Sequence, residues 1–429
     1  MRYRLEYMAF HAYVGASFVS MFAGAGPGRA LLLVSLLLLA GHLIRERRLP
    51  DIPVTGWWAI AYLSWITAAL FWGPLESLQS NHFYRNLVWL NIPVGAMLLV
   101  TPERRRRFFA ALALGTVVLS LRVLGSVLVT VWTAYREGLG VDVEGWVTRV
   151  FLHRQLDETD IIGRLVVQGG MQDGQRLAVG LIALAACALL WPRWGAMKGA
   201  RLSAYVLAGL AFVASFKRGP WLALLLVYVG VALHRLASLS VLGPLRNRTV
   251  GAVIAAGILA VAAGLLSGEG GRSRIEAASD WIDTAAVGGG RVCMWFEVTP
   301  ELARAHPFGI GFRALSNEMM REAAPHVERG QTHVHSNLLQ SLIDGGWIGL
   351  LLFIGWMVSA FRDLWRYRRQ SPAGSADHTM ARSLFLMLVT LVAMGLVEYQ
   401  LGSAQMVLVY GALMGCAAAG ARGSGNPEE

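Results

Sequence analysis

Long apolar runs alternate with short polar connections over most of the chain. Each run is near or slightly under the roughly 20 residues that a helix needs to cross about 30 Å of hydrocarbon. The runs lack the strict alternation of a half-buried strand, so helices are the predicted spanning element. The pattern predicts an all-α polytopic membrane protein of about twelve transmembrane helices, which lie at residues 8–24, 30–44, 55–73, 86–100, 108–134, 177–192, 203–216, 220–238, 249–267, 346–361, 382–399 and 404–420.

Composition supports the membrane assignment. The 429 residues are 55% hydrophobic and 15% charged, with a mean hydropathy of +0.50, whereas a soluble domain carries about 25% charged residues. A disordered chain, a collagen-like fibre and a disulfide-stapled secreted domain are excluded on the same grounds. Cys187 and Cys416 lie in apolar runs and Cys293 stands alone, so neither a disulfide framework nor a cysteine metal site is predicted.

The formal net charge of +11 is explained by membrane orientation rather than by nucleic-acid binding. With the N-terminus inside, the cytoplasmic loops and ends hold 21 of the 38 lysine and arginine residues, and the short outside loops hold four. Cytoplasmic loops collect basic residues, so both termini are predicted to be cytoplasmic. The basic loops are expected to contact membrane lipids, with no nucleic-acid partner.

Residues 1–429 are predicted to form a single membrane domain with two long outside loops, at 135–176 and 268–345. Loops of this length usually carry function or disorder. The second loop mixes apolar and charged residues in a way that favours amphipathic helices lying on the membrane surface. An ordered cap over the outer face is therefore predicted.

Two adjacent cations, Lys217 and Arg218, stand where two apolar runs meet on the charge-poor outside face, in the segment 215–221, Ser-Phe-Lys-Arg-Gly-Pro-Trp. Snorkelling to lipid headgroups is the ordinary explanation. The functional explanation is a phosphate ligand, because a guanidinium donates two hydrogen bonds at once and keeps its charge. A lipid-linked phosphate or diphosphate is the predicted ligand.

Two further arginines could bind the same anion. Arg291 follows three glycines, which let a backbone approach a ligand closely, and precedes a predicted helix whose N-terminus favours an anion. An ordinary flexible loop explains the glycines equally well. Arg122 lies within an apolar run, where it could serve the anion or pair with Glu398, the acidic residue of the eleventh run.

His335 stands at the predicted start of an outer-face helix, directly before Ser336 and Asn337. A neutral imidazole there can accept a proton from a sugar hydroxyl, and Ser336 or Asn337 can cap the helix. His333 does not share a helical face with His335, which argues against a metal pair. An ordinary surface histidine is the alternative reading.

Three separated segments resemble the O-antigen ligase and polymerase family of polytopic membrane glycosyltransferases. Residues 215–221 resemble its Ser-x-x-Arg-Gly-x-Trp junction, and Arg291 with Trp295, followed by 306–311 (His-Pro-Phe-Gly-Ile-Gly), resembles its Arg-x-x-x-Trp and Pro-x-Gly-x-Gly elements. Residues 335–349 resemble its terminal signature of His-Ser-Asn, Asp-Gly-Gly and Gly. The resemblance covers about half the chain, and the order and spacing of its segments fit the family.

The resemblance implies inverting transfer of a polysaccharide from undecaprenyl diphosphate to a sugar hydroxyl of the lipid A core, on the periplasmic side of a bacterial inner membrane. No metal and no other cofactor is implied. Arg218 and Arg291 would hold the departing diphosphate, with Lys217 and Arg122 as further candidates. His335 would be the general base.

Three features of the chain bear on the choice within the family. Moderate length, one large outside loop after the ninth run and the absence of an extra soluble domain favour a ligase over a polymerase or a protein O-oligosaccharyltransferase. A transporter is the non-enzyme alternative, but it predicts charges near the bilayer midplane, whereas the distinctive charges here collect at the outside face.

The predicted topology can be tested with reporter fusions. A reporter at Arg368 should read as cytoplasmic and one at Gly289 as periplasmic, because the basic residues divide in that way between the two sides. A periplasmic signal at Arg368, or a cytoplasmic signal at Gly289, would refute both the topology and the proposed site.

Overall fold

The computed structural model describes residues 4–23, 25–73, 87–139, 171–190, 198–215, 220–221, 223–230, 293–325 and 332–423. Over these ranges the chain forms helices, turns and loops without a strand. The prediction of an all-helical chain is confirmed for this part of the protein.

The α-helices are numbered in chain order. They are α1 Arg4–Phe22, α2 Ala25–Glu46, α3 Val54–Ala68, α4 Asn91–Leu98, α5 Pro102–Arg136, α6 Met171–Leu190, α7 Lys198–Ala214, α8 Thr299–Ala305, α9 Asn317–Ala323, α10 Asn337–Gln370, α11 Ala376–Val397 and α12 Ala404–Gly423. One-turn 3-10 helices at Ala69–Phe71 and Leu87–Leu90 extend α3 and precede α4.

Seven of the described helices are long and apolar enough to cross a membrane, namely α2, α3 with its extension, α5, α6, α10, α11 and α12. Two apolar helices are shorter, at Val88–Leu98 and Gly199–Ala214. The predicted run at 249–267 and part of that at 220–238 lie outside the described residues. A multi-pass membrane protein is indicated, while the total of twelve spans stays a prediction.

Two helices begin earlier than the apolar runs that predicted them. α6 begins at Met171 rather than 177, and α10 begins at Asn337 rather than 346. The additional turns carry polar residues, but these are buried against neighbouring segments, as Arg176 and Gln340 are. The two predicted outside loops therefore end earlier than the hydropathy of the chain indicates.

The helices alternate in direction, so their connections gather at two ends of the bundle. One end, called the arginine-rich end, is tied by ion pairs between Glu6 and Arg104, Arg105 and Asp377, and Asp51 and Arg422. The opposite end, called the site end, is tied by hydrogen bonds between Ala23 and Gln405, Trp72 and Gly309, and Asn337 and Gln400. The positive-inside rule makes the arginine-rich end the expected cytoplasmic one.

The described part of the predicted cap, residues 293–325, packs at the site end. It forms a π-helical turn at Met294–Val298, then α8 and α9, and Ser316 caps α9 by accepting a hydrogen bond from the Met319 amide at 3.2 Å. Its apolar side chains form a small second core with Leu70, Val334 and Ile343. The cap is thereby joined to α3 and to the first turns of α10.

Candidate active site

α10 is broken at Gly346, nine residues after it begins. Gly346 has φ 62° and ψ −161°, a conformation that is essentially restricted to glycine. A break in a helix removes backbone hydrogen bonds, and each buried carbonyl left without a donor costs about 1–3 kcal/mol. The break therefore requires hydrogen-bond donors from other segments.

The loop at 306–311 supplies those donors. The amides of Ile310 and Gly311 donate to the carbonyls of Ile343 and Asp344, at 3.1 and 2.9 Å. In return the carbonyl of Pro307 accepts a hydrogen bond from the amide of Trp347 at 3.0 Å. The two glycine-containing segments that the sequence singled out therefore form one interlocked unit.

Two tryptophans of the α3 end complete the unit. Trp65 Nε1 donates to the Gly345 carbonyl at 2.7 Å, and Trp72 Nε1 donates to the Gly309 carbonyl at 3.1 Å. The backbones approach so closely that a Cβ on Gly309 would lie 2.5 Å from the Asp344 carbonyl oxygen. The fit depends on glycine, whose backbone can adopt φ 86° at this position.

His335 lies directly before α10, with φ 52°. The left-handed region is uncommon for residues other than glycine, and such strain of about 1–3 kcal/mol is typical of functional sites. Ser336 caps the helix by accepting a hydrogen bond from the Leu339 amide at 3.4 Å. The start of α10 is thus defined by a cap.

Asn337 has a different role from the predicted cap. Its Oδ1 accepts hydrogen bonds from the amides of Gln400 and Leu401, at 2.8 and 3.1 Å. Its Nδ2 donates to Gln400 Oε1 at 3.3 Å. Asn337 therefore fixes the connection between α11 and α12 beside the start of α10.

That connection brings Glu398 to His335. The distance between Glu398 Oε2 and His335 Nδ1 is 3.7 Å, and the two side chains are 7% and 16% exposed. A carboxylate beside Nδ1 restricts the orientation of the imidazole, as in other histidine–carboxylate pairs. The pair is buried enough to hold its geometry, and the imidazole retains some access to solvent.

The backbone before His335 is held on both sides. The Val334 amide donates to Gln340 Oε1 at 3.0 Å, and the Val334 carbonyl accepts a hydrogen bond from Trp295 Nε1 at 2.8 Å. Trp295 belongs to the Arg-x-x-x-Trp segment recognised in the sequence, and it brings the start of the cap to the histidine. The described chain begins again at Cys293, two residues after Arg291.

His333 is not an independent residue of the loop. Its ring centroid lies 4.4 Å from that of His335 and 5.6 Å from that of Tyr399. A substitution at His333 therefore changes the packing of His335. For that reason His333→Ala cannot serve as a neutral control for a substitution at His335.

The predicted arginines divide into two groups. Lys217, Arg218 and Arg291 lie outside the described residues. Arg122 is 45% exposed and forms an ion pair with Asp173 at 2.5 Å, and Asp173 also pairs with the buried Arg176. The suggested pairing of Arg122 with Glu398 is wrong, because each has another partner in the structure.

Sequence reasoning missed Glu398 as the partner of His335, and it gave no role to Gln340, Asp344 or Tyr399. A signal for Glu398 was present, since a lone carboxylate at the end of an apolar run needs a partner or a function. Asp344 stands in the Asp-Gly-Gly part of the terminal signature, whereas Gln340 and Tyr399 carry no pattern that marks them.

Residues 203–354 match the family model described as O-antigen ligase. This range is about a third of the chain, and over it the chain is similar to the O-antigen ligase family. No curated protein matches the chain. Within the matched range lie Trp295, the 306–311 loop, His335 and the break in α10, whereas Glu398 lies beyond it. Members of the O-antigen ligase family act as membrane glycosyltransferases, which supports glycosyl transfer as the general activity.

The interlocked unit predicts a strong effect of Gly346→Ala. A Cβ at Gly346 would lie 2.0 Å from the Pro307 carbonyl oxygen, and the conformation alone costs about 1–3 kcal/mol for a residue with a side chain. We expect a clear fall in the melting temperature of the purified protein, together with loss of activity.

Gly125→Ala in α5 is the matched control, because nothing lies within 4 Å of the added methyl group. Alanine is favoured over glycine in a helix by about 1 kcal/mol, so this variant should melt at or above the wild-type temperature. Equal melting of Gly346→Ala and wild type would contradict the role of the break.

Proposed function

We propose that the chain is an O-antigen ligase, which transfers O-antigen polysaccharide from undecaprenyl diphosphate to a hydroxyl of the lipid A core in lipopolysaccharide biosynthesis. The observation that carries the proposal is the His335–Glu398 pair at the site end, of which His335 lies in the range that matches the O-antigen ligase family model. The arginine-rich end would be cytoplasmic, so that the site faces the periplasm of a bacterial inner membrane.

His335 acts as the general base in this proposal. Nδ1 faces Glu398, so Nε2 is the nitrogen that receives the proton of the acceptor hydroxyl. The hydroxyl oxygen then attacks the anomeric carbon of the donor sugar from the face opposite the diphosphate. The new glycosidic bond forms as the bond to the diphosphate oxygen breaks, which inverts the anomeric centre.

Arg218 and Arg291 hold the diphosphate in this proposal and neutralise its charge as it leaves. Support for Arg291 comes from the chain beside it, because Trp295 contacts the residue before His335. Support for Arg218 comes from the matched family range, which includes it. Lys217 is a further diphosphate ligand. Arg122 is the weakest candidate, since Asp173 already neutralises part of its charge.

The reaction is tested with purified protein in lipid nanodiscs, a lipid-diphosphate-linked glycan as donor and two acceptors in separate reactions. Transfer to lipid A core oligosaccharide, with none to a second lipid-linked repeat, is the expected result. Transfer to the lipid-linked repeat alone would identify a polymerase. Absence of transfer to either acceptor would refute glycosyl transfer.

His335→Ala should lower the turnover number by about a hundred- to ten-thousand-fold, the usual contribution of a positioned general base. Glu398→Gln should lower turnover in the same direction, because an amide cannot balance the charge of the imidazolium. His378→Ala is the matched control. His378 lies in the first turn of α11, at the arginine-rich end, whereas Glu398 follows the last turn of the same helix. An active His335→Ala enzyme, or an inactive His378→Ala enzyme, contradicts the assignment.

Arg218→Lys keeps the charge but loses the bidentate hydrogen bonds, so it should lower turnover on the order of 10- to 100-fold. Arg291→Ala should lower it at least as much. The losses should appear mainly in kcat, because charge on the leaving group rises along the reaction. Arg304→Lys is the control, because Arg304 lies in the exposed part of the cap. Wild-type turnover in Arg218→Lys would rule out the diphosphate role of Arg218.

A further inference from the structure

Asp344 is a buried carboxyl group at the break of α10 that the reaction above does not use. Its side chain is 1% exposed. Its backbone carbonyl accepts a hydrogen bond from the 306–311 loop, and its carboxylate contacts Gln340 and Tyr399. Burying a carboxyl group costs free energy unless hydrogen bonds compensate for it, so the hydrogen-bond partners of Asp344 indicate its role.

Three groups donate hydrogen bonds to the Asp344 carboxylate. Gln340 Nε2 donates to Oδ1 at 2.7 Å, the Tyr399 hydroxyl donates to Oδ2 at 3.4 Å, and the backbone amide of Arg313 donates a third. Burial, together with the Asp344 carboxyl, holds the pKa of Tyr399 well above its usual value, so the phenol keeps its proton. Asp344 therefore accepts hydrogen bonds from all three of these groups.

Each side-chain donor leads to one member of the proposed catalytic pair. Gln340 is oriented by Asp344, and its Oε1 then accepts the hydrogen bond of the Val334 amide, next to His335. Tyr399 directly follows Glu398 in the chain, and its ring packs on His333, which packs on His335. One carboxylate therefore fixes the segment before the base and the segment that carries its partner.

We propose that Asp344 is a positioning residue, which holds His335 and Glu398 in register through Gln340 and Tyr399. The proposal rests on the proposed function of that pair. The pair needs such support because His335 has a strained backbone and faces Glu398 across 3.7 Å. Asp344 does not itself reach substrate, since its carboxylate is enclosed and both of its oxygens accept hydrogen bonds.

The test exchanges the polarity of the hydrogen bond between residues 340 and 344. Asp344→Asn places an NH₂ group against donors, and Gln340→Glu places a carboxylate against a carboxylate at a separation of 2.7 Å in the wild type. Each single change should misplace the pair, and a displacement of about 1 Å costs about 100-fold in rate. The loss should appear in kcat, with the KM for the lipid-linked donor within about twofold of wild type.

The double variant Asp344→Asn with Gln340→Glu should recover most of the turnover. The amide introduced at position 344 then donates to the carboxylate introduced at position 340, and its oxygen accepts hydrogen bonds from the remaining donors. The new carboxylate at position 340 still accepts the hydrogen bond of the Val334 amide. A coupling between the two changes of about 10-fold or more in kcat is expected for residues in direct contact.

The possible results are decisive in either direction. Wild-type turnover in Asp344→Asn overturns the proposal. A double variant that stays as inactive as Asp344→Asn also overturns it, because the charge at position 344 would then matter and not the polarity of the hydrogen bond. If the single variants fail to fold, a folded and active double variant still supports the proposal, and an unfolded one overturns it. A wild-type enzyme without transfer activity refutes the proposed function instead, so the two failures are distinguishable.

Discussion

The break of α10 at Gly346 is the constraint on which the rest of the site end depends. A helix interrupted among apolar neighbours exposes carbonyls that water cannot reach, and in a membrane these must find partners within the protein. The 306–311 loop and Trp65 provide them. The loop can approach the break only because glycines occupy the contact positions. The break, the loop and the end of α3 therefore form one unit.

That unit determines where the chemistry can occur. The nine residues before the break place His335 at the site end of the bundle, where its side chain keeps some access to solvent. Asn337 fixes the connection between α11 and α12 next to the histidine, which brings Glu398 to Nδ1. Three segments that are far apart in sequence thus converge, namely the 306–311 loop, the start of α10 and the connection between α11 and α12. Hydrogen bonds to the backbone hold them together in addition to side-chain packing.

Much of this arrangement could be predicted from the sequence, and the remainder could not for physical reasons. Hydropathy predicts the helices because spans are apolar, and His335 is marked by its polar neighbours at the start of a helix. Hydropathy does not predict that α10 begins at Asn337, because its first turns bury polar side chains inside the protein. The contact of Glu398 with His335 and that of Tyr399 with Asp344 could not be predicted. Each joins residues that are distant in sequence, 55 positions apart for Asp344 and Tyr399, and only the folded backbone brings them together.

In the proposed reaction, lipid-linked diphosphate binds at the end of the bundle where His335 and Glu398 lie. The most direct test is an electron cryomicroscopy structure of the protein in nanodiscs with undecaprenyl diphosphate bound. The diphosphate is expected within hydrogen-bonding distance of Arg218 and Arg291, with its terminal phosphate directed towards His335 Nε2. A diphosphate at the arginine-rich end, or one bound at the site end out of reach of both arginines, would contradict it.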